Sequence, residues 1–292
     1  MGTPILASEN PILAQMGRFS AAYGKNLSVD SLRWRYYRLG DGPAVVWLTG
    51  GLRRAAFGFG FLQLLGRRYT VLAPDYPVLG SFEQFDQGLS AILDTERIRR
   101  FHLAGQSYGG VLAQPFLACH PQTVDRLVLS STGPADYGRA WLPVEYLAIG
   151  LARLLPERRV KRLLARQLGK VLNTDAKDRE DWQAAVRETL EHDLTRGDVV
   201  SHFAVAADII KTHLIHPGAF HAWNGRAVVL RAQRFHANKA GPAAVRAAVR
   251  AACESHKYGA GRPRRRPVSP ATVCALATAG PGLIAMVDLE SR

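Results

Sequence analysis

Short apolar runs alternate with segments of helical spacing along much of the chain. The runs predicted as strands are residues 32–40, 44–50, 69–77, 101–105, 126–132 and 226–230. The first run alternates apolar and polar positions, whereas the others are short and mostly apolar, as in strands buried on both faces of a parallel sheet. Residues 81–95, with Ser81 as the N-cap, and residues 108–120 are predicted as helices. This alternation predicts an α/β fold, with a mostly parallel sheet and helices on both of its faces.

Residues 134–225 interrupt this rhythm, because no strand pattern occurs in them. Apolar residues within 142–172 recur at helical spacing opposite a basic face, and further helical segments follow. We therefore predict a helical cap inserted after the strand that follows the helix 108–120. The basic face is a candidate for contact with an acidic lipid surface, although a solvated face is the simpler interpretation. It comprises Arg158, Arg159, Lys161, Arg162, Arg166 and Lys170.

The last part of the chain differs in composition from the rest. Of the net charge of +14, half lies in residues 234–292, which hold ten Lys and Arg against three acids. A basic tail is able to bind nucleic acid, but a solvated extension is the favoured interpretation, so no nucleic-acid partner is expected. The tail is rich in Ala, Arg, Gly and Pro and lacks a clear strand–helix–strand pattern. It is either a disordered basic extension or the product of a frame shift in a GC-rich coding sequence, and we favour the frame shift.

The predicted organisation therefore has four parts. They are a core in residues 1–133, the cap in 134–225, a core strand in 226–233 and the tail in 234–292. No apolar run is long enough to cross a membrane, and the N-terminus lacks the pattern of a secretory signal. The three cysteines share no close spacing, so neither a disulfide framework nor a metal site is expected, and a cytoplasmic location is the default. No cofactor is predicted, and the oligomeric state is left open.

The stretch "LAGQSYGG" carries the clearest chemical signal. Ser107 lies between Gly105 and Gly109, after a predicted strand and before a predicted helix. This is the nucleophile-elbow pattern, in which a tight strand-to-helix turn strains the serine backbone and exposes its hydroxyl at the edge of the sheet. The elbow is Gly105, Gln106, Ser107, Tyr108, Gly109 and Gly110. The N–H group of Tyr108 would then point at a developing oxyanion.

With these motifs, residues 32–233 resemble the α/β-hydrolase superfamily. The stretch "VVWLTGG" is similar to a strand and oxyanion loop that usually reads His-Gly-x; Thr49 stands in the place of the histidine, and Gly51 would supply the second oxyanion N–H. The stretch "PDYPVLGSFEQF" lacks a motif common in the superfamily and is more similar to the maspardin-like branch. Some members of that branch look like non-catalytic binding proteins.

The resemblance implies the order serine, acid, histidine for a catalytic triad. No acid follows the strand 226–230, and Asp136, after the preceding strand, is the candidate acid; a turn-forming role is the competing interpretation. Among nine histidines only His236 and His256 come late enough in the chain, and His256 is the candidate base.

Two hypotheses of different class follow from the sequence. The leading one is a serine hydrolase of ester or thioester type acting on a small molecule, with activity impaired because the acid and the histidine are not evident. The alternative is a non-catalytic maspardin-like binding or adaptor protein that keeps the fold and the pocket. Labelling by an active-serine probe distinguishes the two.

Overall fold

The structure of the protein is a computed structural model, and it describes residues 10–135, 139–171, 179–212, 214–216 and 218–230. The candidate acid Asp136, the candidate base His256 and the tail 234–292 lie outside the described residues.

A seven-stranded sheet forms the centre of the described part. In chain order the strands are β1 (Gly24–Val29), β2 (Leu32–Leu39), β3 (Ala44–Leu48), β4 (Thr70–Pro74), β5 (Phe101–Gln106), β6 (Val124–Ser130) and β7 (Arg226–Leu230). Their order across the sheet is β1-β2-β4-β3-β5-β6-β7. The pairs β1–β2 and β2–β4 are antiparallel, and all the others are parallel. The predicted mostly parallel α/β sheet is confirmed.

Eight α-helices accompany this sheet in the described part. They are α1 (Pro11–Tyr23), α2 (Phe59–Leu65), α3 (Phe82–Thr95), α4 (Tyr108–Cys119), α5 (Leu142–Leu154), α6 (Glu157–Val171), α7 (Arg179–Glu188) and α8 (Arg196–Thr212). Ser81 caps α3 as predicted, since its side chain accepts a hydrogen bond from the N–H of Gln84 at 3.3 Å. No helix among the described residues is both long and apolar enough to cross a bilayer.

Both faces of the sheet are buried, as the continuous apolar runs predict. In β3, Val46 and Leu48 belong to one hydrophobic cluster, while Val45 and Trp47 belong to a second. Successive side chains of a strand point to opposite faces, so these two clusters cover the two sides of the sheet. The core therefore holds β3 and β5 rigidly from both sides, and the candidate site lies where these strands end.

The cap comprises α5 to α8, which lie in the chain between β6 and β7. Because β6 and β7 are adjacent parallel strands, the helical block is an insertion between neighbours in the sheet. The single helical pattern of 142–172 is two helices, α5 and α6, separated at Leu155 and Pro156. Proline removes an N–H donor and disfavours the helical conformation of the residue before it, so the break falls where the sequence requires it.

Candidate active site

Ser107 occupies the turn between β5 and α4. Its backbone has φ 50° and ψ −116°, a conformation that is strained for a residue with a side chain. Its N–H donates to the carbonyl of Ser130 at 2.9 Å, and its own carbonyl accepts from the hydroxyl of Thr132 at 2.7 Å. These contacts hold the strained turn against the end of β6, and Ser107 itself is exposed.

Glycine is required at three positions around this turn. A Cβ on Gly105 would lie 2.5 Å from the carbonyl oxygen of Gly109, and a Cβ on Gly109 would lie 2.1 Å from that of Leu48. A Cβ on Gly110 would lie 2.5 Å from the side chain of Thr132. The first two contacts are with backbone atoms, which cannot move aside independently. The glycines predicted as part of the elbow therefore allow α4 to begin directly against the ends of β3 and β5.

The loop that follows β3 lies beside the serine. A Cβ built on Gly50 would be 3.7 Å from the Cβ of Ser107 and 3.7 Å from the carbonyl oxygen of Gln106. The N–H of Arg53 donates to the carbonyl of Gly50 at 2.9 Å, which closes the loop into a turn. The sequence-predicted oxyanion residue Gly51 is thus next to Gly50 in a loop that contacts the elbow.

A buried tyrosine and a buried aspartate secure the ends of this loop. The hydroxyl of Tyr76 donates to the carbonyl of Thr49 at 2.9 Å, and the N–H of Tyr76 donates to the carbonyl of Arg53 at 3.1 Å. Asp75 accepts a hydrogen bond from the N–H of Ala55 at 2.6 Å. Burial raises the pKa of Asp75 from 3.8 to about 6, although this N–H group opposes the shift. The loop is therefore held from β4, outside the elbow itself.

Arg53 connects the loop to the cap. Its side chain is 1% exposed, lies 3.4 Å (Nε to Oδ1) from Asp198 of α8 and donates from Nη2 to the hydroxyl of Ser201 at 2.9 Å. The same nitrogen donates to the carbonyl of Pro77, and the guanidinium lies over the ring of Tyr76. Burial lowers the pKa of Arg53. Asp198 also pairs with Arg54 at 3.5 Å, so one carboxylate faces two guanidinium groups.

His202 of α8 covers the elbow from the cap side. Its ring stacks on that of Tyr108, with centroids 3.9 Å apart, and its Cε1 would lie 3.4 Å from a Cβ on Gly51. Burial and the nearby Arg53 guanidinium lower the pKa of His202 to about 3. The ring is therefore neutral at physiological pH and touches both residues that the sequence predicts as oxyanion donors.

Other described histidines have partners away from the elbow. His120, at the far end of α4, lies 2.6 Å (Nε2 to Oδ1) from Asp86. His102 occupies the second position of β5, and its ring meets the edge of Tyr69. Neither histidine shares a contact with Ser107 in the described part of the chain.

The sequence prediction and the described site overlap only in part. The structure brings together Ser107, Tyr108, Gly105, Gln106, Gly109, Gly110 and the loop containing Gly51. Asp136 and His256 lie outside the described residues, so their roles as acid and base stay predictions. Arg53 and His202 were missed, because helical periodicity places His202 on the cap without indicating which core residue it meets. For Arg53, its position two residues after the glycine pair was the one available signal.

The described residues contain no group of three or more His, Cys, Asp or Glu side chains that could hold a metal ion. The chemical groups at the elbow are a hydroxyl, backbone N–H groups, a neutral imidazole and a buried guanidinium. Such groups suit nucleophilic attack and the stabilisation of an oxyanion.

Comparison with curated proteins gives partial matches. Uncharacterized proteins of Mycobacterium tuberculosis and Mycobacterium bovis are each 30% identical to the chain over 162 residues, or 50% of the chain and 48% of each relative. A proline iminopeptidase of Lactobacillus helveticus is 32% identical over 116 residues, or 33% of the chain and 40% of that protein. The chain spans about half the length of the first of these relatives, the mycobacterial proteins.

Solved structures share the fold over most of the chain. An enol-lactonase from Burkholderia xenovorans LB400 matches with a TM-score of 0.61 at 20% identity, covering 78% of this chain and 87% of that one. A hydrolase from Pseudomonas aeruginosa matches with a TM-score of 0.58 at 19% identity, covering 80% of this chain and 99% of that one. At these identities the likeness shows the fold alone.

The family comparison covers the largest continuous range. A model of the alpha/beta hydrolase family matches residues 42–285, which is well over half of the chain and includes most of the segment predicted as a tail. The matched range contains the loop that follows β3 and the strained elbow serine, and the solved hydrolase structures share the fold. The chain belongs to the alpha/beta hydrolase family.

Proposed function

We propose that the chain is a serine hydrolase acting on small carboxylic esters or thioesters, with Ser107 as its nucleophile. The observation that carries the proposal is the exposed Ser107 at φ 50°, at the end of a central parallel strand and the start of α4. A strained conformation persists where the surrounding structure enforces it, and here three glycines and two carbonyl contacts do so. The proposal explains why a serine stands at this position.

The proposed reaction has two steps. The Ser107 oxygen attacks the acyl carbon, its proton passes to a base, and the alcohol or thiol leaves with a proton from that base. Water then attacks the acyl-enzyme and restores the Ser107 hydroxyl, releasing the acid. The N–H groups of Tyr108 and Gly51 are the proposed donors to the tetrahedral oxyanion.

His202 is not the proposed base, although it is the described histidine in contact with the elbow. A general base works best when its pKa lies near the operating pH, and the pKa of His202 is lowered to about 3. Its contacts with Tyr108 and Gly51 instead suit a positioning role for the two oxyanion donors. The proposed acid and base remain Asp136 and His256. Because neither has an established partner, the proposed activity is slow.

The second candidate function is a non-catalytic binding protein of maspardin-like type. The observation that favours it is that the histidine at the described elbow is poorly suited to accept a proton from Ser107. Under this alternative the fold and the elbow persist, while acyl transfer does not occur.

An active-serine probe tests the proposal. We expect a fluorophosphonate to label Ser107 and the chain to hydrolyse 4-nitrophenyl acetate slowly. Ser107→Ala should abolish both signals. Ser131→Ala is the matched control, because Ser131 is also exposed, also follows a central strand and also has a positive φ, of 49°.

Two outcomes would change the assignment. Absence of labelling at Ser107 in the folded protein would favour the non-catalytic alternative. Turnover of tens per second, a typical enzymatic rate, would show that a working base is present and refute the proposed impairment. His256→Ala, with His236→Ala as its control, would then identify that base.

A further inference from the structure

Helix α5 presents an apolar stripe to solvent. Val144, Leu147, Leu151 and Leu154 follow one another at spacings of four and three along the helix, so they share one face. All four are exposed, with Leu147 at 62% and Leu154 at 85%. The opposite face of α5, which includes Ile149 and Ala152, is the buried one. A surface helix ordinarily places polar residues on its outer face, so an exposed apolar stripe of this kind indicates a binding surface.

Aromatic side chains extend the stripe. Trp141, in the 3₁₀ turn Arg139–Trp141 before α5, is 50% exposed, and Tyr146 is exposed as well. Tryptophan and tyrosine are the residues enriched at the interface between a bilayer and water. The other four tryptophans of the chain are buried or partly buried. Trp141 is thus placed to meet a partner that contacts α5.

Basic residues adjoin the apolar stripe. Residues 139–165 hold six basic and two acidic side chains. Arg158 and Arg159 are exposed in the first turn of α6, just after Leu154, and Arg162 is exposed one turn further on. Positive charge in the first turn of a helix opposes the helix dipole, so Arg158 and Arg159 gain no stabilisation from the dipole of α6. They place positive charge beside the exposed leucines.

We propose that the outer face of the cap, formed by Trp141, the apolar stripe of α5 and the exposed arginines of α6, docks on an anionic lipid surface. Amphipathic helices bind such surfaces by inserting leucine side chains among the lipids, with tryptophan at the boundary and arginines at the headgroups. The charges argue against two other occupants. A second copy would bring basic residues onto basic residues, and the segment 234–292 of this chain, with ten basic residues and three acids, would be repelled in the same way.

Helix α8 connects the docking face to the elbow. Ala152 of α5 and Val160 of α6 pack with Val199 of α8 in one small cluster. Helix α8 in turn carries His202, whose ring rests on Tyr108. The docking proposal rests on exposed residues of α5 and α6, and it does not depend on the proposed hydrolase activity.

Vesicle binding by the full chain tests the proposal. We expect cosedimentation with vesicles of phosphatidylcholine mixed with phosphatidylglycerol and little with phosphatidylcholine alone. Tryptophan emission should shift to the blue on binding, and Trp141→Phe should remove that shift while leaving the fold unchanged. High salt should weaken binding, since attraction between exposed charges and anionic headgroups is screened.

Matched variants separate the apolar and the basic contributions. Leu147→Gln with Leu151→Gln should lower the partition coefficient by roughly tenfold per leucine, the scale expected for burying such a side chain. The control is Leu64→Gln on α2, where Leu64 is 48% exposed on another surface. Arg158→Gln with Arg159→Gln should lower it by about fivefold per arginine. Its control is Arg67→Gln with Arg68→Gln, two exposed arginines outside the cap.

Several results would overturn the proposal. Equal losses in the control variants would show non-specific attraction of a chain whose net charge is +14. Binding to neutral and anionic vesicles alike would remove the role of the arginines. A dimer that Leu147→Gln with Leu151→Gln converts to a monomer, without vesicle binding, would identify a second copy as the occupant. No vesicle binding by a folded monomer would mean that the stripe is covered by the chain itself.

Discussion

The substitution Gly109→Ala should disrupt the elbow more than its size suggests. Gly109 is the second residue of α4, and a Cβ there would lie 2.1 Å from the carbonyl oxygen of Leu48 and 2.6 Å from that of Thr49. Ordinary contact begins near 3.4 Å, so more than an ångström of movement is needed. Both obstacles are backbone atoms at the end of β3, which is paired on both sides. The strand or the helix must therefore move as a unit.

The expected cost follows from this geometry. Overpacking a well-packed core costs about 1–3 kcal/mol and occasionally more, and here no side chain can rotate away. We expect Gly109→Ala to lower the free energy of unfolding by about 3 kcal/mol, measured by urea denaturation. Movement of Thr49 would also shift the adjacent Gly50 and Gly51. Any esterase signal should therefore fall below that of wild type even at concentrations of urea where the variant is folded.

Gly17→Ala is the matched control. Gly17 lies within α1, and a Cβ there meets nothing within 4 Å. Alanine in a helix interior is favoured over glycine by roughly 0.5–1 kcal/mol, so this variant should be slightly more stable than wild type. A loss below about 1 kcal/mol for Gly109→Ala, or losses of equal size for both variants, would refute the close-approach reasoning.

Three further predictions concern buried ionisable side chains near the loop. Asp198→Asn removes the carboxylate that faces buried Arg53 and should lower the free energy of unfolding, measured in urea, by about 3–5 kcal/mol. The control Asp94→Asn breaks an exposed ion pair and should lower it by less than about 1 kcal/mol, so similar losses in the two variants would contradict the buried pair. The pKa of Asp75 is raised from 3.8 to about 6 in the folded protein, so the stability of wild type relative to Asp75→Asn should fall by about 3 kcal/mol as the pH rises from about 4 to 6. A stability difference that does not change with pH would show that the pKa of this carboxyl is not shifted by folding. The pKa of His202 is lowered to about 3 in the folded protein, so the stability of wild type relative to His202→Gln should rise by roughly 1.4 kcal/mol per pH unit from about pH 4 to 6. If this stability difference fell with rising pH instead, His202 would gain a proton on folding.

Most of the core could be predicted from the sequence because local patterns specify it. The run 101–105 corresponds to β5, and 226–230 matches β7 without change. The elbow was predictable because a tight strand-to-helix turn needs glycine at fixed offsets from its serine, where larger side chains would clash. Each of these signals lies within a few neighbouring residues.

The N-terminal elements were missed although local signals for them exist. Asn10 accepts hydrogen bonds from the N–H groups of Ile12 and Leu13, and Pro11 opens α1, a standard helix start. Strand β1 is joined to β2 by a tight turn in which Asp30 has φ 51°. Strand β1 is short and polar, and its pairing with β2 decides its conformation.

The cap shows a different limit of sequence analysis. Periodicity predicted an apolar stripe that included Val160 and Leu163, yet Val160 is buried and Leu163 is 53% exposed. Helical spacing identifies which residues share a face, but it does not say which face meets the core. That choice depends on α8, whose own partners are distant in the sequence.

Helix α8 links the cap to the candidate site through one short stretch of its surface. Asp198, Ser201 and His202 are three and four residues apart and therefore share a side of the helix. Asp198 and Ser201 contact Arg53, Ser201 also accepts a hydrogen bond from the N–H of Leu79 at 2.7 Å, and His202 rests on Gly51 and Tyr108. All of these contacts join residues far apart in the chain, which is why the sequence did not indicate them. Because the same helix face holds both the loop and the ring over the elbow, a movement of α8 would change the two proposed oxyanion donors together, and the position of the cap would set the geometry at Ser107.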